Sequence, residues 1–486
     1  MEAFRKFQGH VPDRKYAEWE NLLQTIEPTT YSLYKKFGNN WTIIHGAGEF
    51  LRARAGYTAP DYVEQIVDEH LKRFRTPEGL WAEPGLPFAY DGVARFHGTM
   101  IVLNGYEGAR ADELKQWMWE GAWTSLLMQS PFGETPTQYR SSHHIWNEAT
   151  DAAIFEAYAD AYARAGRMEE AGAFRRGARL ALQSISDWIR PDGSGYIVKN
   201  RFPRGTRHAH HRYSAHANYN LWAMSRLCTA HDLAGTSIEQ RPAPAEVGGF
   251  VLDLDSFRTV IANVQGNYVQ YLRRGNMTYN PTGLLRVHLR AGHPQLGPSD
   301  GVMAEWGKSG ANSAGYAVGP AWIDASGEET RLAEFPDLKE HRPRLGDDPG
   351  VLPKLIEITE SPELVVFEIQ TDWPVKEAQV TEVFTLTPMG LDAEVSVIAP
   401  GIQGLRLYFP ALVTDGASDT TLSVEEGKLS LSLDGRGVVF STRPPVQPQR
   451  SKKRLVHWNG LVEPIHFDFP DSSSASYSIR PFQTHE

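Results

Sequence analysis

Apolar residues recur at three and four positions from the start of the chain to about residue 235, with Gly and Pro at the breaks, and that spacing predicts a succession of helices. The helices expected are Lys15 to Ile26, Trp41 to Arg54, Asp61 to Phe74, Arg95 to Asn104, Asp112 to Gln129, His144 to Arg164, Glu169 to Ile189 and Tyr213 to Leu233. Three of the intervening stretches, 80–91, 130–142 and 190–212, are long, aromatic and polar, as befits the functional side of a helical ring. A Pro-rich connector, Gln240-Arg-Pro-Ala-Pro-Ala-Glu, then reads as a linker. From about Gly249 the period shortens to that of strands, in the runs Val269 to Leu272, Leu284 to Leu289, Leu364 to Ile369, Val380 to Leu386, Ala393 to Ile398 and Val438 to Thr442. No repeat of fixed period is present. The expected fold is α+β and multidomain: an N-terminal (α/α) toroid over 1–238, a linker over 239–248 and a C-terminal antiparallel β-sandwich over 249–486.

Composition narrows the function without naming it. A chain of 486 residues exceeds one compact core, and 41% apolar with 22% charged residues fits a globular protein. The net charge of −10 argues against a nucleic-acid partner, although the Arg and His run between Arg201 and Arg212 suits a polyanion such as a uronic-acid chain. The 13 Trp, 19 Tyr and 21 Phe supply rings for sugar faces as well as for helix packing. The single cysteine, Cys228, excludes an internal disulfide, and its apolar helical surroundings predict a buried, inert thiol. The amino terminus lacks the apolar core of a signal peptide and no segment is long enough to span a membrane, so the expectation is a cytoplasmic protein, or a secreted one where a leader has been trimmed.

The candidate chemistry lies between Tyr139 and Leu221. His144, Asn147 and Asp151 fall on one helix face and His143 with Asn147 on an adjacent one, at a helix start whose partial positive charge suits a carboxylate. Capping of the helix is the structural alternative. Arg204, Arg207, His208, His210, His211, Arg212, Tyr213, His216 and Tyr219 then crowd into a short span, a cationic and titratable density that suits an anion or proton transfer. A solvated basic loop is the alternative there. A zinc site is conceivable from the His spacing, but no Cys and no His-Glu-x-x-His accompany it, so neither metal nor cofactor is expected. These residue types fit a carbohydrate-active enzyme handling an acidic sugar near neutral pH.

Ser141-Ser-His-His-Ile-Trp-Asn-Glu resembles the Asn-Asn-His-Gly-x-Trp-Tyr-Asp type of segment in alginate-lyase-like polysaccharide lyases. Pro191-Asp-Gly-Ser, Arg204-Gly-Thr-Arg and Tyr213-Ser-Ala-His-Ala-Asn-Tyr-Asn-Leu follow in the order found there, and a trailing β-domain is similar to the two-domain alginate and heparinase II/III-like lyases. The resemblance implies His143 at the catalytic histidine position, Tyr213 at the catalytic tyrosine, and Arg204 or Arg207 as the arginine. Ser142 departs from the family asparagine that helps neutralise the substrate carboxylate, which leaves that role to Asn147 or a nearby arginine or histidine. Catalysis is thus expected from His143, Tyr213, Asn147 and Arg207. Substrate contacts are expected from His144, Arg204, His211, His216, Tyr219, Tyr139, Arg140 and Trp146, and, by analogy with a sheet-domain loop that completes the cleft, from Arg273, Tyr279 and Asn280.

Such a lyase removes the C5 proton of a uronic acid, which is acidic only once the neighbouring carboxylate is neutralised, and the elimination breaks the glycosidic bond. The rival is a glycoside hydrolase on the same toroid, which needs two carboxyl groups across the bond. Asp91, Glu148, Asp151, Glu83 and Glu134 are its candidates, with Trp81, Tyr90 and His97 near Asp91 as a sugar subsite; a loop cap or salt bridge is the structural alternative for each acid. A non-catalytic glycan-binding protein is the third reading, and residues 350–486 read as scaffold.

Overall fold

The computed structural model describes residues 2–30, 39–211, 218–235, 237–276, 278–297, 316–336, 343–347, 350–451 and 453–483. Among them are the helices α1 Glu2–Lys6, α2 Asp13–Gln24, α3 Asn40–Arg54, α4 Asp61–Arg73, α5 Phe88–Leu103, α6 Ala111–Met128, α7 Ile145–Arg164, α8 Met168–Ser186, α9 Asn218–Leu233 and α10 Pro244–Val247. Helices α3, α5, α7 and α9 are successive neighbours, and α4 packs on α6. Alternate helices thus form an inner and an outer layer, the arrangement of an (α/α) toroid. Inner α7 is buried almost all round, and Ala149, Ala152, Ala153, Ala157 and Ala159 let α8 and α9 approach closely. Outer α8 instead buries one stripe, Ala171, Phe174, Ala178, Ala181 and Ile185.

Two helix readings change. Helix α5 starts at Phe88 rather than Arg95, because Pro87 precedes it in extended conformation and Asp91 sits in its first turn. Its Gly98 is a packing glycine, since a Cβ there would collide with the Met118 sulfur of α6. Cys228 is exposed, not buried. Helix α9 turns Ala223, Arg226 and Ala230 inward, which leaves Leu221, Met224 and Cys228 on its outer face.

The connector is docked. Ala243 and Ala245 pack against Leu180 of α8, while Glu246 of α10 pairs with Arg176 at 2.7 Å and accepts the Ala243 N–H at 3.1 Å. Small side chains and a half-buried ion pair therefore hold a stretch whose proline content suggests a free spacer.

Strands begin at Gly248. Strands β1 Gly248–Leu254, β2 Thr259–Val264, β3 Asn267–Leu272 and β4 Gly283–His288 form an antiparallel sheet in chain order. Among the described residues an eight-stranded and a six-stranded antiparallel sheet complete the β region, and the eight-stranded one contains the remaining expected runs. The sandwich core joins all three sheets, through Val260 and Tyr271 of the first, Phe367, Phe384 and Phe440 of the second, and Leu407 and Phe467 of the third. The opposite face of the four-stranded sheet, through Ile261, Tyr268 and Leu285 and with Phe257 of the β1–β2 turn, packs on Leu80, Leu86, Phe88 and Met128 of the toroid. Burial on both faces explains why β2, β3 and β4 are buried at every position. Among the described residues no helix is long and apolar enough to cross a membrane.

Candidate active site

The segment between α6 and α7 is knotted by its backbone. Tyr139, Ser141 and His143 adopt left-handed conformations, with φ of 54°, 67° and 59°. Each such non-glycine residue costs about 1–3 kcal/mol and persists only where its surroundings over-determine it. Those surroundings come from both halves of the chain. The Tyr139 N–H donates to Asn280 Oδ1 at 2.7 Å and its hydroxyl to the Arg274 carbonyl at 2.6 Å, while Gln138 Nε2 donates to the carbonyls of Leu86 and Phe257 at 2.9 Å each. Asn147 Nδ2 donates to the Ser141 carbonyl at 2.9 Å, and Ser142 Oγ to the Tyr139 carbonyl at 3.1 Å. Ser142 thus stabilises the knot itself.

His143 emerges from this knot with its ring stacked on Trp458, at 5.9 Å and 17°. Arg286 Nη2 donates to His143 Nε2 at 3.4 Å. A guanidinium has no lone pair to offer, so Nε2 is the acceptor and the neutral ring carries its proton on Nδ1. Arg286 reaches the site because β4 is irregular: the β3 pairing shifts between Gln270 and Tyr271, so Leu284 and Val287 enter the sandwich core while Leu285 and Arg286 turn to the toroid.

Behind the imidazole lies a buried ionic chain. Arg286 pairs with Glu134 at 3.4 Å and donates to the Thr135 carbonyl at 2.9 Å. Lys199 pairs with Glu134 at 3.5 Å and with Glu148 at 2.7 Å, and its backbone N–H donates to the His143 carbonyl at 3.0 Å. Burial opposes charge on Glu134, but Lys199 and Arg286 outweigh it and hold the carboxyl at about 2.

Two more imidazoles adjoin the first. His211 lies 4.8 Å from Trp458 and stacks on His144 at 5.7 Å. Burial lowers His144 to about 3 and His211 well below the usual histidine range, so both are neutral near pH 7. The Ser141 N–H donates to His211 Nε2 at 3.3 Å, whereas His144 Nδ1 donates to the Ser142 carbonyl at 3.0 Å, which puts the His144 lone pair on Nε2. That atom is buried and has no partner among the described residues. Tyr279 stands 5.5 Å from His211, and Tyr219, raised to about 12 chiefly by burial, 6.1 Å from His144. At the half-buried rim, Arg140 covers the Tyr90 ring at 4.7 Å and pairs with Glu83, and Ser141 Oγ donates to the Tyr90 hydroxyl at 3.2 Å. Trp146 is buried beneath, against Tyr90 and Trp222.

The carboxylates are largely spoken for. Asp91 pairs with Arg95 at 2.6 Å and accepts the Trp81 N–H at 2.6 Å. Glu83 accepts from Asn40 at 2.6 Å and from Arg140. Glu148 accepts the Thr135 N–H at 3.1 Å and Asp151 the Thr135 hydroxyl at 2.7 Å, so these two sit side by side on one helix. Burial, reinforced by Glu148 and Asp91 and opposed by Thr135, raises Asp151 to about 8. The unfolded chain ionises near the ordinary aspartate value while the folded one stays protonated, so stability falls as pH rises from roughly 4 to 8. Asp151→Asn removes this burden and keeps an acceptor for Thr135. Its advantage over the wild type should grow across that window to on the order of 3 kcal/mol in urea denaturation; an advantage independent of pH would refute a protonated Asp151.

Other expected residues go elsewhere. Trp81 is enclosed between Phe74 and Trp117 and has no face for a sugar. His97 accepts from Arg226 at 3.0 Å, in a separate pocket with Phe96 and Met100, so it forms no subsite with Asp91. Arg273 is buried in ion pairs with Asp253 and Asp255. Arg204 and Arg207 are exposed, with Arg204 donating to Ser194 Oγ. Tyr213 and His216 lie outside the described residues. Sequence reasoning missed Lys199, Arg286 and Trp458. Only Arg286 carried a local signal, as a lone charge in the apolar run Leu284-Leu-Arg-Val-His-Leu. No group of three or more His, Cys, Asp or Glu suited to a metal occurs among the described residues.

No family model and no curated protein matches the chain. Among solved structures it is similar to heparan sulfate lyase HepC from Pedobacter heparinus, at 10% identity and a TM-score of 0.36, over 88% of this chain and 63% of that one. It is also similar to heparinase III, at 10% identity and a TM-score of 0.38, over 97% and 74% of the two chains. A glycosyl hydrolase family 88 protein from Bacteroides vulgatus matches at 12% identity and a TM-score of 0.32, over 47% and 71%. The chain spans less than two thirds of the length of the first of these.

Proposed function

We propose that the protein is a polysaccharide or oligosaccharide lyase that cleaves a uronic-acid-containing glycan by β-elimination. The observation that carries the reading is His143, held in a strained backbone against Arg286 and Trp458, with neutral imidazoles beside it and the nearby carboxylates engaged. Such a site is rich in hydrogen-bond donors and neutral bases, which suits neutralising a carboxylate and moving a proton. In the reaction the C5–H bond breaks, its electron pair forms the C4–C5 double bond, the C4–O bond breaks, and the departing oxygen gains a proton. His143 and Tyr213 are the proposed proton-transfer pair, with Asn147 toward the substrate carboxylate.

One observation favours a hydrolase: Asp151 stays protonated to about pH 8, as a general acid must. Its neighbour Glu148, however, is bound to Lys199 on the same helix rather than across a cleft.

Incubation with a panel of acidic glycans decides between these. The lyase yields products whose conjugated 4,5-double bond absorbs in the ultraviolet. New reducing ends without that absorbance mean hydrolysis, and binding without product means neither enzyme. Full lyase activity in Tyr213→Phe would remove Tyr213 from its role.

A further inference from the structure

Glu134 also lines a second cavity, of about 420 Å³, whose walls include neither His143, His144 nor His211. It lies in the seam between the two halves of the chain: Phe132 and Trp188 come from the toroid, and His293, Gln295 and Arg436 from the β region. Three features of its wall point to a ligand. Gln295 is only 6% exposed, and its Nε2 has no partner among the described residues, which costs stability unless an acceptor meets it. His293 Nδ1 accepts the Gln295 backbone N–H at 3.3 Å, and burial lowers the ring to about 4, so it is neutral with its proton on Nε2. Arg436 is half-buried and has no carboxylate within ion-pair distance among the described residues, whereas the other arginine of the wall, Arg201, is bound to Asp415 and stacked on Trp188.

The acids of the cavity do not cancel this donor set. Glu134 is held by Lys199 and Arg286, Asp434 is exposed to solvent, which screens it, and burial pushes the Asp187 carboxyl up against the pull of Arg201 and Arg436. The inner wall therefore offers a guanidinium, an amide N–H and an imidazole N–H, beside the half-buried ring of Phe132. The volume suits one pyranose.

We propose that this cavity is a second ligand site, which binds a single sugar acid with its carboxylate on Arg436 and Gln295 and its ring face on Phe132. The site is independent of the lyase reading, because it requires binding and no turnover. Titration calorimetry with glucuronic acid, and with glucose as the uncharged control, tests it on the full-length protein.

The wild type should bind glucuronate saturably in the millimolar range and glucose at least about tenfold more weakly, the loss expected for a charge-assisted hydrogen bond. Arg436→Ala should weaken glucuronate by about tenfold or more while His143→Ala leaves that binding in place. Should Arg436→Ala fail to fold, Gln183→Trp, at an exposed position on the same wall, carries the same expectation by filling the cavity. A flat wild-type isotherm, wild-type affinity in the cavity variant, loss only in His143→Ala, or equal binding of glucose overturns the proposal.

Discussion

Replacing His143 by alanine should lower lyase turnover by about 10²- to 10⁴-fold, the range for loss of a group that handles a proton or a developing charge. Other sources of lost activity are limited by the geometry. Arg286 keeps its pairing with Glu134 and its bond to the Thr135 carbonyl when the imidazole is removed, so no buried charge is stranded. The knot upstream is fixed by Asn280, Gln138 and Asn147, none of which bonds to the His143 ring. The loss should therefore fall mainly on kcat, with KM and the melting temperature changing little, as for an interaction made chiefly in the transition state. Initial rates of ultraviolet-absorbing product, with thermal denaturation of the same variant, measure both. Activity within tenfold of wild type would remove His143 from the chemistry.

The legible part of this protein is the part that local periodicity governs. Helix α8 and the strands around Val380 and Ala393 were readable because each repeats its apolar positions at the period of its own element. Helix α9 misled at Cys228 because Arg226, a charged residue, occupies its inner face. The polar cluster from Ser141 to Asn147 was legible as chemistry, since it opens a helix whose other side is apolar. What could not be read was which charges find partners. Asp91 read either as a catalytic acid among aromatics or as a salt-bridge member, and Arg95 one turn on proves to be its counter-ion, a spacing visible in the sequence. Arg273 is similarly consumed by Asp253.

Arg286 and Trp458 escaped for a different reason. Each is a single residue far along the chain that tertiary folding brings to His143, one by a shift in strand pairing and the other from a turn of the β region. Docking of the four-stranded sheet on the toroid thus completes the candidate site as well as burying apolar surface.

Lys199→Met should destabilise the fold by about 3–5 kcal/mol, the cost of breaking a buried pair from one side. Lys199 is 2% exposed and serves two acids, Glu134 and Glu148, which are themselves buried. Methionine fills much of its volume, so the loss is electrostatic rather than a cavity. Glu134 retains Arg286, but Glu148 keeps only the Thr135 N–H, and one of its oxygens already lacks a partner among the described residues. Adding Glu148→Gln to the variant should therefore recover part of the loss, a coupling that a double-mutant cycle in urea isolates. The pH dependence has a defined sign. Glu134 is depressed to about 2 in the folded state, so its contribution is full above the ordinary glutamate range and is lost as pH falls from roughly 4.5 to 2. The deficit of Lys199→Met relative to wild type should shrink across that interval, because protonated acids no longer require the ammonium. A deficit below about 1 kcal/mol at neutral pH, or one unchanged by acid, would mean that the ionic chain behind His143 does not hold the fold together.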